Sequence, residues 1–104
     1  LFELLLEVDD EARFMQADKL FESAVNLRPA LLNDLLQLCT HIKTKRLFLW
    51  FSVRHNHSWC QAIKREGVNL GSGKRSIIKG GSLDKEFQIS VPQIMIDSDE
   101  QPLY

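Results

Sequence analysis

Residues 45–55 read KRLFLWFSVRH, a compact apolar and aromatic run bounded by cations. A half-buried strand would alternate apolar with polar residues, and this run does not, so its pattern favours a helix over about residues 43–55. A short aromatic strand stays an alternative. The side chains that a helix would bury are Leu47, Phe48, Trp50 and Phe51, with Val53 as a further candidate.

Three more helices are predicted on the N-terminal side of that run. Pro29 suits the first turn of a helix, where its missing N–H costs nothing, so one helix is expected over about 29–40. Its apolar side chains cover well over one side, which predicts a place at the centre of the core. They are Leu31, Leu32, Leu35, Leu36, Leu38 and Cys39.

The two earlier segments show weaker helical patterns. A helical period over about 15–25 would bury one face, comprising Met15, Leu20, Phe21, Ala24 and Val25. Residues 1–8, LFELLLEV, are typical of the end of an amphipathic helix.

The character of the sequence changes after Trp59. Trp59 and Ile63 can anchor a short helix that ends by Gly67, and all five glycines lie between Gly67 and Gly81. A short strand over about 76–79 and a second over about 86–91 are predicted.

The second predicted strand has the clearer pattern, because Phe87, Ile89 and Val91 alternate with polar residues. Residues 80–85 would join the two strands as a hairpin-like turn, and Pro92 would end the second one. Helices followed by a small β-hairpin or sheet give the α+β class.

The 104 residues suit one domain, predicted over 1–96, with a flexible acidic tail over 97–104. No apolar run approaches the roughly 20 residues that span a bilayer, and no signal peptide is visible. Two cysteines do not make a disulfide framework, so a cytoplasmic protein is expected.

Charged residues are segregated along the chain. Residues 1–40 carry eight acidic and three basic residues, 41–85 carry ten basic and two acidic residues, and 86–104 carry four acidic residues and no basic one. The basic segment, residues 41–85, therefore has a net charge of +8. This density predicts an exposed basic face for phosphate or for an acidic protein. The alternative, that the basic and acidic segments neutralise each other in the folded protein, stays open.

Residues 70–81, LGSGKRSIIKGG, combine four glycines with three cations. A nucleotide-binding P-loop requires G-x-x-x-x-G-K-[ST] before a helix. Arg75 follows Gly73 and Lys74 in place of serine or threonine, and a β-like segment follows, so nucleotide hydrolysis is not expected. Two interpretations remain: N–H groups and cations that contact phosphate, or glycines that reverse the chain with positive φ.

Metal binding and catalysis have little support. No histidine is paired with a recognisable nucleophile. The five potential zinc ligands match no standard zinc spacing; they are Cys39, His41, His55, His57 and Cys60. The sequence therefore predicts no catalytic residue, no metal and no cofactor.

Three stretches together resemble a known family. They are LRPALLNDLLQLC at 27–39, IKTKRLFLWFSVRHNHSW at 42–59 and VNLGSGKRSIIKGGSLDKEFQISVP at 68–92. They are similar to the C-terminal domain of AbiEi-family antitoxins, which belong to type IV toxin–antitoxin systems of abortive infection, a form of phage defence. The third stretch is the most specific part of the resemblance.

The resemblance implies a regulatory function and no enzyme activity. A full-length family protein begins with a winged-helix DNA-binding domain, so this chain, which starts at Leu1, is expected to be a fragment without it. The family represses its own operon by binding operator DNA, mainly through the winged helix. It also counters a nucleotidyltransferase-like toxin, usually without a stable complex. A stand-alone nucleic-acid-binding module that uses a basic surface is the alternative function.

Single residues can also be compared with the family pattern. Where the family commonly has Gly-His-Pro-Trp, this chain keeps His57 and Trp59 but has Asn56 and Ser58, and the position of Cys60 is usually apolar. The candidate partner-binding or nucleic-acid-binding residues are Lys43, Lys45, Arg46, Arg54, Lys74, Arg75 and Lys79. The candidate loop-shaping residues are Gly71, Gly73, Gly80 and Gly81.

Overall fold

Five helices precede a two-stranded sheet in the computed structural model, which describes residues 2–65, 68–74, 77–78 and 81–92. The helices are α1 (Phe2–Leu6), α2 (Glu11–Ser23), α3 (Pro29–Leu38), α4 (Ile42–His55) and α5 (Ser58–Gln61). The strands β1 (Ser82–Leu83) and β2 (Ser90–Val91) pair antiparallel, with Ser82 opposite Val91. The α+β class is confirmed. Within these ranges no helix is long and apolar enough to cross a membrane.

Helix α4 lies at the centre of the core, so the helical interpretation of the 45–55 run is confirmed and the strand alternative is excluded. Its residues from Thr44 to Ser52 are all buried, as expected for a helix that is covered on every side. The centre of the Phe51 ring lies 4.9 Å from the ring centres of both Phe14 and Phe21 of α2. These ring contacts hold α2 against α4. Val53 is 50% exposed, so its predicted burial is wrong.

Helix α2 starts earlier than predicted, and the predicted burial is confirmed for Phe21 but wrong for Leu20 and Val25. The Asp10 carboxylate accepts the N–H of Arg13 at 2.8 Å and caps the helix, which therefore begins at Glu11. Its buried apolar side chains are Phe14, Ala17 and Phe21, while Leu20 and Val25 are 45% and 52% exposed. The two phenylalanines take the core side because large rings bury more apolar area than Leu20 or Val25 would.

Helix α3 lies at the edge of the core, and its predicted central place is wrong. Leu32 and Leu36 are buried, but Leu31, Leu35 and Leu38 are 55%, 41% and 78% exposed. A helix of ten residues turns one stripe toward the core, and the rings of α2, α4 and α5 already fill the centre. The apolar surface of α3 is therefore wider than the face it buries.

The sheet also forms at a different place from the one predicted. Ile77 and Ile78 are not in a strand; both of their N–H groups donate to the Ser90 hydroxyl, at 2.6 and 2.8 Å. The first strand instead lies at Ser82–Leu83, within the predicted turn. Gly81 permits this pairing, because a Cβ there would lie 2.3 Å from the carbonyl oxygen of Val91.

The predicted alternation in the second strand is confirmed at the level of burial. Phe87, Ile89 and Val91 are buried, and Gln88 is exposed. The turn before β2 is closed by Asp84, whose carboxylate accepts the N–H of Phe87 at 2.7 Å.

Candidate functional site

The side chain of Arg46 lies in the interior and joins α4 to two later segments. This residue is 3% exposed. Its Nε donates to the carbonyl oxygen of Leu70 at 2.8 Å, and its Nη1 donates to that of Gly73 at 2.7 Å and that of Gln88 at 3.4 Å. The guanidinium supplies N–H donors to backbone carbonyl groups from two later segments of the chain. Arg46 therefore holds these loops against α4.

Residues 70–74, named here the glycine loop, pass over the start of α4. Gly71 and Gly73 have φ values of +69° and +79°, a region that favours glycine. A Cβ at Gly71 would lie 3.2 Å from the Ile42 side chain, whereas one at Gly73 would meet nothing within 4 Å. The loop-shaping role of these two glycines stays a prediction. Gly80, predicted to share it, lies outside the described residues.

Arg54 is engaged with the acidic N-terminal part of the chain. Its Nε donates to the Asp18 carboxylate at 2.9 Å, and Nε2 of His55 lies 2.8 Å from the same oxygen. Asp18 is 6% exposed, so these side chains take the place of water as donors to its carboxylate. The Arg54 guanidinium also lies 5.8 Å from the centre of the Trp50 ring. Here the basic and acidic segments neutralise each other.

His57 and Trp59 bind the end of α2. Nε2 of His57 lies 2.9 Å from the carbonyl oxygen of Phe21, and Nε1 of Trp59 donates to that of Ala24. Because a carbonyl oxygen only accepts, a hydrogen bond here requires the His57 tautomer with the proton on Nε2. The Phe21 carbonyl oxygen also accepts the Ala24 N–H at 3.2 Å, so His57 is a second donor to it, and the two side chains hold residues 57–59 against the C-terminal end of α2.

The predicted cations do not share one exposed face. Lys45 and Arg46 are 5% and 3% exposed, so the expectation of an exposed basic face is wrong for both. Lys43 is half-buried and donates to the carbonyl oxygen of Leu6 at 3.4 Å, where a cation suits the C-terminus of α1. Lys74 is exposed.

The remaining two cations, Arg75 and Lys79, lie outside the described residues. A binding role for the exposed members of the set stays a prediction. Arg46 lies in the interior because loop carbonyls accept its N–H groups, and Arg54 is bound to the buried Asp18 carboxylate.

Sequence reasoning missed two acidic partners in the fold. Asp18 lies four residues after Phe14 and three before Phe21, which places it on the same face of α2 as these two rings. Its burial could have been predicted from that spacing. Glu86 pairs with Arg65 at 2.6 Å, and the Arg65 guanidinium also lies 4.8 Å from the centre of the Phe87 ring. No spacing rule links residues 21 apart in a loop and a turn.

The cysteines and histidines do not converge on a metal site. Among the described residues no three His, Cys, Asp or Glu side chains form a group that could hold a metal ion. His55 and His57 are engaged with Asp18 and with the end of α2. Burial raises the pKa of the Cys60 thiol, so it stays protonated at neutral pH and is a poor ligand and nucleophile.

A protein-family model matches residues 1–92 of the chain. The family is described as transcriptional regulator, AbiEi antitoxin, type IV TA system. The match includes every helix and strand given above. No curated protein matches the chain, and no solved structure does.

Proposed function

Because the chain belongs to the AbiEi antitoxin family, transcriptional regulators of type IV toxin–antitoxin systems, we propose that this domain carries the antitoxin activity of its protein. It counters a nucleotidyltransferase-like toxin without forming a stable complex. It also assists repression of its own operon, whose operator is read mainly by a winged-helix domain. The protein acts in the cytoplasm.

The observation that carries this proposal is the family match over residues 1–92. The family consists of regulators and not of enzymes, as the sequence predicted. The cations within the matched residues differ in their surroundings. Arg46 and Arg54 support the fold, so contacts with partners would fall to exposed residues such as Lys74.

The test is co-expression of the full-length protein with the toxin in a bacterial host. We expect the full-length protein to restore growth and to lower expression from its own promoter. Purified toxin and antitoxin should elute separately in size-exclusion chromatography. Failure of the folded protein to restore growth would contradict the proposal, and co-elution would contradict the absence of a stable complex.

The alternative function is a stand-alone nucleic-acid-binding module. Fewer exposed cations are available for it than the sequence suggested. Lys45 and Arg46 are buried, and Arg54 pairs with Asp18. Non-specific DNA affinity depends on the number of phosphates that cations neutralise. We therefore assign this domain an auxiliary contact with nucleic acid and not the main one.

A further inference from the structure

A cleft of about 290 Å³ lies beside the C-terminal half of α4. Leu49 and Val53, which are four residues apart on one face of that helix, line one side of it. Cys60, Ile63 and Arg65 line it from the segment that follows α4. Because burial raises the pKa of the Cys60 thiol, this group is uncharged at neutral pH. Among the described residues of the cleft, the charge therefore comes from Arg65.

The polar groups of the cleft are partly engaged within the protein. The Ser52 hydroxyl donates to the carbonyl oxygen of Phe48 at 2.8 Å, while Asn56 is exposed. Nη1 of Arg65 pairs with the Glu86 carboxylate, and the Arg65 side chain stays 44% exposed. A guanidinium has five N–H groups, so one carboxylate partner leaves donors for a second. The cleft therefore suits an apolar side chain that is followed by an acidic group.

The size of the cleft favours an occupant that belongs to the same chain. The few side chains that fit into it would bury far less surface than the roughly 1,200–2,000 Å² of a stable interface between two proteins. A tethered segment avoids the loss of translational freedom that a separate partner incurs. Its effective concentration at the cleft is on the order of millimolar, so a small contact is enough.

Residues 93–104, which lie outside the described residues, have a sequence that complements the cleft. The apolar run IMI at 94–96 is followed at once by Asp97, and two further acidic residues follow within residues 98–100. Apolar side chains match the walls of the cleft, and a carboxylate matches the guanidinium beside them. The family model matches residues 1–92, so this segment lies beyond the family match.

The β region brings the start of this segment within reach of the cleft. The Arg65 guanidinium lies 4.8 Å from the centre of the Phe87 ring, so the chain passes the cleft five residues before Pro92. Ile96 follows Phe87 by nine residues, which span up to about 30 Å when extended. The segment is therefore long enough to return from β2 to the Arg65 side of the cleft.

We propose that residues 94–97 of this chain occupy the cleft, with Ile94 and Ile96 packed against its apolar walls and Asp97 paired with Arg65. In an extended backbone, side chains two residues apart point to the same side, so both isoleucines face the cleft together. The contact covers the Cys60 thiol. It does not depend on the antitoxin activity proposed above.

The first experiment measures how fast N-ethylmaleimide labels the two cysteines of the folded protein, followed by mass spectrometry of its peptides. Cys39, which does not line the cleft, is the internal reference. In a variant with Ile94→Ser and Ile96→Ser, Cys60 should react about fivefold faster, as expected when a local contact is lost. Cys39 should keep its rate. Leu103→Ser is the matched control, because it removes an apolar side chain beyond the docked residues, and it should leave both rates unchanged.

The second experiment tests the ion pair between the segment and the cleft. Asp97→Asn should raise the labelling rate of Cys60 about twofold, the effect of losing one partly exposed pair. The double variant Arg65→Gln with Asp97→Asn should be no faster than Arg65→Gln alone, because both substitutions remove the same contact. Additive effects of the two substitutions would overturn the pairing of Asp97 with Arg65.

The dependence on protein concentration identifies the source of the segment. Protection of Cys60 by its own chain should not change with concentration. Protection that rises with concentration, with elution as a dimer in size-exclusion chromatography, would assign the cleft to a second copy and overturn the proposal. Equal labelling of Cys60 in the isoleucine variant and in Leu103→Ser would also overturn it. So would slower labelling on addition of the toxin to the isoleucine variant, which would assign the cleft to that partner.

Discussion

The helical core and the β region, residues 68–92, share apolar packing but differ in the polar contacts that accompany it. In the helical core, rings of α2, α4 and α5 pack on one another: Phe14, Phe21, Phe48, Phe51 and Trp59. The β region adds buried apolar side chains to the same core, and two polar residues join its segments: Arg46 donates to loop carbonyls, and Ser90 accepts two N–H groups. Apolar packing is non-directional, whereas hydrogen bonds require defined positions. The β region should therefore depend on single polar residues.

The largest loss of stability is expected from a substitution in the helical core. Phe51→Ala removes a ring that contacts Phe14 and Phe21, and it should lower the free energy of unfolding by about 4 kcal/mol. This is a large part of the roughly 5–15 kcal/mol that holds a domain of this size. Urea denaturation measures the loss, with the exposed Val53→Ala as control. A loss as small as that of the control would show that α4 is not the centre of the core.

The next largest effect should come from Asp18, the polar contact within the helical core. Asp18→Ala leaves Arg54 and His55 without their shared acceptor, and we expect a loss of about 3 kcal/mol in urea denaturation. Asp34→Ala removes an exposed carboxylate from α3 and should have almost no effect. An equal loss of stability in the two variants would show that the Asp18 contacts do not stabilise the fold.

A smaller global loss is expected for Arg46→Lys. The lysine keeps the charge but supplies fewer aligned donors to the loop carbonyls, so unfolding should become easier by about 2 kcal/mol. Lys74→Ala is the matched control, because Lys74 is exposed on the same loop. Thermal denaturation followed by circular dichroism gives both values, and a stability equal to that of Lys74→Ala would contradict the internal role of Arg46.

The smallest expected change in stability is a gain. Thr44 is fully buried, and its hydroxyl oxygen has no hydrogen-bond partner among the described residues. Thr44→Val keeps the branched shape and removes the unsatisfied group, so it should stabilise the protein by about 1 kcal/mol. Ser52→Ala is the contrast, because the Ser52 hydroxyl donates to the carbonyl oxygen of Phe48 at 2.8 Å. Destabilisation by Thr44→Val would mean that the hydroxyl has a partner.

The sequence predicted the central helix because its apolar residues lack the alternation of a strand. It could not place α3, since a helix with apolar residues over more than one side does not reveal which stripe is buried. Leu32 and Leu36 face the core, while Leu38 is 78% exposed. That choice depends on the space left by rings from other helices.

The candidate site was harder to predict for a related reason. Charge density identified the cations of residues 41–85, but the partners of Arg46 lie 24, 27 and 42 residues away. Asp18 lies 36 residues from Arg54. Interior hydrogen bonds between distant residues have no local pattern, so a count of cations overestimates the charge that reaches the surface.

Amide hydrogen exchange of Arg46→Lys tests most directly whether Arg46 organises the β region from inside. We predict faster exchange at Gly81, Asp84 and Gln88, whose N–H groups are hydrogen-bonded within that region. The amides of α2 and α4 should keep their protection. Unchanged exchange in the β region, or an equal loss of protection in the helices, would contradict the internal role of Arg46.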